Sequence, residues 1–467
     1  MSDRIVILGG GLAGIAAAIS LVDAGCPVTL IETRKRLGGR ATSFVDPRTG
    51  AVLDNCQHVV LGCCTNLLDL YQRLEVLDQI QWHRTLYWTD GKQEADANGT
   101  DRFEANWLPA PLHLGKSLRQ MKIFNRVEKR QIRRGMLRML RLGIRRRAAW
   151  EGKTFRQFLD EAGQSPEVID RFWNPIVVSA CNLEVDAVGA PHALQVFQEG
   201  FLGNRFSYAM GLSCVPLVEL YGTVEQHLQQ GGGEIQLGVS AKSINFDGHR
   251  VTGVVTTEGL IEAKAVISTL PFDRLDKIIS EPLRRADARL HHLDQFDVSP
   301  ILGVHLVFDQ EVMSLPHLVF AGGDVHWIFN KGMDGTGQQH IHAVISGADQ
   351  WMGLDEASIV KRVLAAISSA LPAVKSAQLL VHRSVKEKRA TFAATPEINA
   401  YRPGPGPSAL GGAPNLYLAG DWSASGWPAT MEGATRSGYA AARLAGGTIE
   451  EVPDISISWP ARLLGLR

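Results

Sequence analysis

The chain has 467 residues, 45% hydrophobic and 21% charged, and its 48 Lys and Arg balance 48 Asp and Glu to a formal net charge of zero. That length exceeds one ordinary hydrophobic core, so two intertwined domains are expected. The composition excludes a disordered chain, and the neutral balance speaks against a nucleic-acid partner.

Ile5–Leu8 is a short apolar run that predicts a buried parallel strand. Gly9, Gly11 and Gly14 follow in G-x-G-x-x-G spacing, for a tight turn, a close backbone approach to pyrophosphate, and close helix–strand contact. The predicted helix from Leu12 to Ala24 then aims its N-terminal N–H groups, with Ala13 in its first turn, at the phosphates. Val28–Ile31 is the second strand, and Glu32 stands eighteen residues after Gly14, where a carboxylate accepts from an adenosine ribose. The uncharged stretch Ile5–Val22 could also be read as a transmembrane span or a signal peptide. Its three central glycines and the lack of a small-residue cleavage pattern argue against both.

Arg36-Leu37-Gly38-Gly39-Arg40 follows the acid. With it the sequence resembles the flavin amine oxidase and phytoene desaturase superfamily, whose first motif runs on to an acid and R-x-G-G-R. The resemblance implies FAD, with Thr33, Arg34, Gly39 and Arg40 beside Glu32 near the adenosine and pyrophosphate. It also implies an α/β fold: a Rossmann-like, GR2-type FAD-binding domain interleaved with an α+β substrate domain.

The next run, Leu53-Asp54-Asn55-Cys56-Gln57-His58 with an apolar sequel and Gly62-Cys63, is similar to the squalene-associated FAD-dependent desaturases, the hydroxysqualene dehydroxylases of hopanoid biosynthesis. This resemblance places Asn55, Cys56 and Gln57 under the flavin ring, although Cys56 stands where a glycine is expected. His58 and Asp54 are the candidate acids for protonating a departing hydroxyl. Alternatively, Asp54 fixes the loop and His58 is a hydrogen-bonded structural residue.

Between Lys116 and Arg147 lie thirteen Lys and Arg and one acid, Glu128. Ile132, Met136, Met139, Leu140 and Ile144 recur at helical spacing, with arginines on the other faces. This is the pattern of a basic amphipathic helix on an anionic membrane, or of a helix on the substrate domain with solvated arginines.

From Glu234 to Pro271, short β-rich runs broken by Asp247-Gly248 and Glu258-Gly259 predict strands and a hairpin. The resemblance sets Val239 of this block against the adenine. Alternating runs from Pro300 to Gly347 predict a mostly antiparallel sheet in the substrate domain, and Asp355–Leu371 an amphipathic helix. Leu416–Ala419 reads as a strand with Gly420-Asp421 at its exit, and Pro428–Gly433 opens a helix ending near Leu444. In the resembling family the aspartate holds the ribityl or pyrophosphate part of FAD. Thr430, Met431 and Ala434 would bring the helix N-terminus to the flavin. No cysteine lies in Trp427–Gly433, so FAD is expected to be non-covalent. The final SWPARLLGLR is a second membrane contact or a tail.

The FAD-binding domain is thus expected in three pieces, residues 1–75, 216–272 and 396–450. The substrate part occupies 76–215, helical and membrane-facing, and 273–395, sheet and helix, with a tail at 451–467. The six cysteines show no C-x-x-C and no secreted framework, so reduced thiols in a cytoplasmic, peripherally membrane-associated protein are expected. No metal is expected: His291-His292 and His340-x-His342 read as surface or strand residues. The implied reaction is reductive removal of a hydroxyl from a long-chain isoprenoid. A carotenoid-type desaturase, an amine oxidase, and a non-catalytic prenyl-binding protein like the Rab GDP-dissociation inhibitors share the architecture. The intact Glu32, Gly38-Gly39-Arg40 and Asp421 set speaks against the last of these.

Overall fold

The structure is a computed structural model and describes residues 3–96, 99–407, 411–446 and 451–467. Five strands lie side by side in the order Glu234–Leu237, Val28–Glu32, Ile5–Leu8, Ala265–Ser268 and Leu416–Leu418, all parallel. Ile5–Leu8 and Ala265–Ser268 are buried along their whole length, which is why they read as unbroken apolar runs. The sheet draws strands from the N-terminal, middle and C-terminal stretches of the chain. The boundary expected at residue 450 lies outside the described residues.

Two helices from opposite ends of the chain, Leu12–Asp23 and Met431–Gly446, run against each other on this sheet. Their contact is close enough to need glycine: a Cβ on Gly438 would lie 2.2 Å from the Ala13 carbonyl oxygen. A three-stranded meander, Ala241–Phe246, Val251–Thr256 and Gly259–Glu262, connects Glu234–Leu237 to Ala265–Ser268 of this parallel sheet.

The second sheet has seven strands in the order Leu379–Phe392, Val298–Phe308, Gln339–Ser346, Trp327–Met333, His317–Phe320, Thr85–Thr89 and Asp101–Glu104. Every neighbouring pair is antiparallel except His317–Phe320 with Thr85–Thr89. Thr85–Thr89 and Asp101–Glu104 come from the stretch expected to be helical, so that stretch also supplies the edge of the sheet. Helix Glu356–Ile367, capped by Asp355, covers one face: its Ile359, Val360, Val363 and Ile367 share a core with Leu302, Val304 and Leu306. Alternation sends Gly303 and His305 to the opposite face, towards the Asp54–Asn55 loop.

The basic helix spans Arg126–Leu142 and starts on a capping box formed by Asn125 and Glu128. Its apolar stripe faces inward. Ile132, Met139 and Leu140 are buried in the aromatic core of the helical part, and a Cβ on Gly135 would lie 2.7 Å from Trp173. The stripe expected to enter a membrane is therefore spent on the protein's own core, and only the arginine faces look outward. The final segment is ordered, with helix Trp459–Leu463 and the Arg467 carbonyl accepting from Ile144 and Arg145 N–H. Among the described residues, no helix is long and apolar enough to cross a membrane.

Candidate active site

The turn after the first strand has the geometry its glycines predict. Gly9 has φ +104°, and a Cβ on Gly14 would lie 1.9 Å from the Gly9 carbonyl oxygen. Leu12 and Ala13 sit buried in the first helical turn. The R-x-G-G-R loop closes on this turn: Gly38 N–H donates to the Gly10 carbonyl at 2.8 Å, and a Cβ on Gly39 would reach Gly11 Cα at 3.0 Å. Glu32 ties the two loops together, accepting from Gly10 N–H at 2.7 Å through one oxygen and from Arg34 N–H at 2.8 Å through the other. Each oxygen keeps a lone pair for a ribose hydroxyl. Thr33 is exposed. Val239 lies beside this site, but its N–H already donates to the Glu32 carbonyl at 3.0 Å and so is not free for an adenine.

Arg36 opens the R-x-G-G-R loop. Its Nε is buried with no hydrogen-bond partner, while burial first and Arg34 second lower its pKa. An orphaned guanidinium N–H beside a glycine-lined turn and a helix N-terminus fits an anionic pyrophosphate. These donors suit a dinucleotide.

Arg40 spans the two halves of the site. It meets Asp421 at 2.5 Å across 381 residues of sequence and donates to the Ala390 carbonyl at 3.0 Å. Burial opposes its charge, but Asp421 outweighs burial, and the pKa is raised. Gly420, with φ +127°, allows the sharp exit before Asp421, and its N–H donates to Ser437 Oγ at 2.8 Å. The Asp421–Trp427 loop is held by Arg402, which the sequence reading missed. Its guanidinium donates to the carbonyls of Asp421, Trp422, Ser423 and Trp427. Burial, partly opposed by Asp421, lowers its pKa to about 10.

At the start of the C-terminal helix, Thr430 accepts from Gly433 N–H at 3.1 Å and from Ala434 N–H at 3.0 Å. Glu432, also missed, is fully buried and caps helix Thr65–Arg73 by accepting from Asn66 and Leu67 N–H. Burial raises its pKa, against the pull of Arg436. Met431 lines a small cavity with His58, Val60, Tyr71, Ile80, Leu217 and Leu220, so the two distant motifs meet there.

The Asp54–His58 loop is locked from several sides. Asn55 donates to the Arg40 carbonyl and accepts from Cys56 N–H at 3.1 Å. Cys56 is buried, which pushes its thiol up to about 12 and leaves it unreactive. Asp54 accepts from Ser43 Oγ at 2.7 Å, Leu217 N–H at 3.0 Å and Lys331 Nζ at 3.2 Å. Burial works to raise its pKa, but Lys331 and these donors outweigh it and hold the carboxyl below its usual range. It carries no proton at neutral pH, so the structure speaks against Asp54 as an acid and gives it the loop-fixing place. His58 donates through Nδ1 to the Cys56 carbonyl at 3.1 Å, which leaves Nε2 free. Burial lowers its pKa, partly countered by that carbonyl.

Under this loop lies a polar cluster that the sequence did not reveal. His305 donates through Nε2 to the Asp54 carbonyl at 2.9 Å, and its Nδ1 lies 3.0 Å from His340 Nε2. His342 stacks on His305 with ring centroids 3.9 Å apart, fully buried and with both nitrogens unpartnered. Desolvation depresses the pKa of all three, to about 4 at His305 and about 3 at His340. His340 and His342 are strand residues as expected, yet they face inward. Only the register, which sets His305 opposite His342, brings them together. Lys331 joins the cluster to Gln57 at 3.1 Å. Among the described residues no His, Cys, Asp or Glu group is arranged to hold a metal, and all six cysteines are unpaired.

The family profile of flavin containing amine oxidoreductases matches residues 12–445, nearly the whole chain and both halves of this site. The chain belongs to that family. Hydroxysqualene dehydroxylase of Rhodopseudomonas palustris is 29% identical over 469 residues, covering 95% of this chain and 98% of that one. The enzyme of the same name from Sinorhizobium fredii is 27% identical, covering 95% and 99%. A 15-cis-phytoene desaturase from Synechococcus elongatus is 25% identical, covering 93% and 94%. An oxidoreductase structure from Methanosarcina mazei superposes with TM-score 0.71 at 17% identity, covering 93% and 98%, and substrate-bound putrescine oxidase with 0.70 at 18%, covering 95% and 98%. These solved structures show the fold: a Rossmann-like flavoprotein domain with an interleaved substrate domain. The protein is a flavin-dependent oxidoreductase of this family, and it is similar along its full length to hydroxysqualene dehydroxylases.

Proposed function

We propose that the protein binds FAD non-covalently and reductively removes the hydroxyl of hydroxysqualene to give squalene, in hopanoid biosynthesis. The observation that carries this is the Asp54–Cys63 run, which resembles the dehydroxylases, together with the full-length similarity to enzymes of that name. Glu32, Arg36, Arg40, Asp421 and the two helix N-termini would hold the dinucleotide. Bound and reduced, the flavin would supply a hydride to carbon.

The chain's own part is protonation and exclusion of water. When the allylic C–O bond breaks, the hydroxyl leaves as water after taking one proton, and a C–H bond forms in its place. His58 is the acid in this reading: Nδ1–H is committed to the Cys56 carbonyl, so Nε2 is the nitrogen that exchanges the proton. Its lowered pKa makes the protonated ring a ready donor but keeps it mostly neutral at pH 7, so turnover is expected to rise as pH falls towards 6. His58 lines a small cavity with Val60, Tyr71, Ile80, Leu217, Leu220 and Met431, a mostly apolar surrounding that limits water at the ring. The outward arginine face of helix Arg126–Leu142 would place the protein on the anionic cytoplasmic side of the cell membrane, by charge rather than by insertion.

Anaerobic incubation of chemically reduced enzyme with hydroxysqualene should yield squalene, read by mass spectrometry, and His58→Gln should slow it about 100-fold or more. The similarity to phytoene desaturases favours one second reading, oxidation of a polyene by the oxidised enzyme. No squalene, with lengthened conjugation of added phytoene, would decide for it.

A further inference from the structure

A groove of about 470 Å³ lies between helix Gly115–Gln120 and the first two turns of helix Arg126–Leu142, lined by Leu118, Arg119, Arg126, Lys129, Arg130 and Arg133. Arg126, Lys129, Arg130 and Arg133 are spaced at i, i+3, i+4 and i+7, so they share one helix face. Like charges at that spacing repel and destabilise the helix unless an anion lies among them. None of the five cations forms an ion pair among the described residues.

The absence of partners is local. Further along the same stretch, Arg138 pairs with Glu161 at 2.6 Å and Arg147 with Glu199 at 2.7 Å. Glu128, the only acid in the sequence between Lys116 and Arg147, is engaged elsewhere: it accepts from Asn125 N–H at 2.6 Å and meets Arg171 at 3.3 Å. The groove wall is also fixed, because Lys129 Nζ donates to the Arg119 carbonyl at 2.9 Å and Arg133 Nε to the Lys129 carbonyl at 3.2 Å. Those bonds aim cations into a concave space and leave their remaining donors free.

We propose that this groove is a binding site for a phosphate group of high charge, a phosphomonoester or diphosphate, held between Arg119, Arg126, Lys129, Arg130 and Arg133. Guanidinium forks match phosphate oxygens two at a time, and the ammonium adds a point charge. The site deepens the membrane reading only as regards the source of the phosphate, a lipid headgroup or a soluble diphosphate. It is independent of the reaction assigned above.

The test uses the full-length, FAD-loaded protein. Calorimetric titration with sodium diphosphate should give one saturable site. The variant Lys129→Gln/Arg130→Gln/Arg133→Gln should weaken it by at least about tenfold. Arg141→Gln/Arg145→Gln/Arg146→Gln, which removes the same charge outside the groove, should leave it intact. The single variant Arg130→Glu, at an exposed position, repeats the test with the least disturbance of the fold. Flotation with phosphatidylcholine vesicles carrying phosphatidic acid, against charge-matched phosphatidylserine vesicles, identifies the source. A preference for phosphatidic acid that diphosphate competes away assigns a lipid headgroup, and diphosphate binding without that preference assigns a soluble ligand. Equal weakening by the two triple variants, or no saturable diphosphate binding, would overturn the proposal. Absence of binding to every vesicle would remove the membrane reading while leaving a diphosphate site standing.

Discussion

Replacing Glu32 by alanine removes an acceptor that two loops share. The carboxylate holds Gly10 N–H at 2.7 Å and Arg34 N–H at 2.8 Å, and each oxygen keeps a lone pair for a ribose hydroxyl. A hydrogen bond to a charged acceptor contributes about 1.5–3 kcal/mol. Loss of one ribose bond alone should therefore weaken FAD binding by about 10- to 150-fold. The two backbone bonds exist without the cofactor, so their loss should appear separately, as a lower denaturation midpoint of the deflavinated protein. Titrating apoprotein with FAD and following flavin fluorescence gives the first quantity, and urea unfolding of apoprotein gives the second. Glu32→Gln, which keeps one acceptor oxygen but no charge, should fall between wild type and alanine in both. Unchanged FAD affinity in Glu32→Ala, with full occupancy after dialysis, would refute the adenosine assignment even if stability fell.

Gly438→Ala should destabilise the protein by about 1–3 kcal/mol in urea unfolding, because the new methyl would sit 2.2 Å from the Ala13 carbonyl oxygen and the terminal helices must part. Arg402→Met leaves the carbonyls of Asp421, Trp422, Ser423 and Trp427 without their shared donor, an expected loss of about 3–5 kcal/mol, together with faster flavin release on gel filtration. His342 is buried neutral with its pKa depressed well below 6.5, so its contribution is fully present above that value and is lost as pH falls below it. Between pH 7 and pH 5, wild type should lose about 2 kcal/mol more stability than His342→Leu, and equal losses would mean that the histidine is charged in the folded protein.

What could be read from the sequence was whatever depends on local backbone geometry. The Gly9–Gly14 turn, Glu32 at the end of the second strand, the Gly38-Gly39-Arg40 loop and the Gly420-Asp421 exit are each a few consecutive residues whose glycines are demanded by φ or by close approach, so the letters carry the conformation. The central strand Ile5–Leu8 was equally plain, because burial on both faces leaves only apolar side chains there. The tertiary structure alone decided the rest. An apolar stripe at helical spacing records that one face of Arg126–Leu142 leaves water, and says nothing about whether a bilayer or Trp173 receives it. His340 and His342 looked unsupported in sequence because their support is register: strands paired across 37 residues set His305 opposite His342, beneath a loop some 250 residues earlier. Arg402 and Glu432 left no periodic trace either. Each is a single charged residue that holds backbone groups of a distant or looped segment, and those positions are fixed only once the chain has folded.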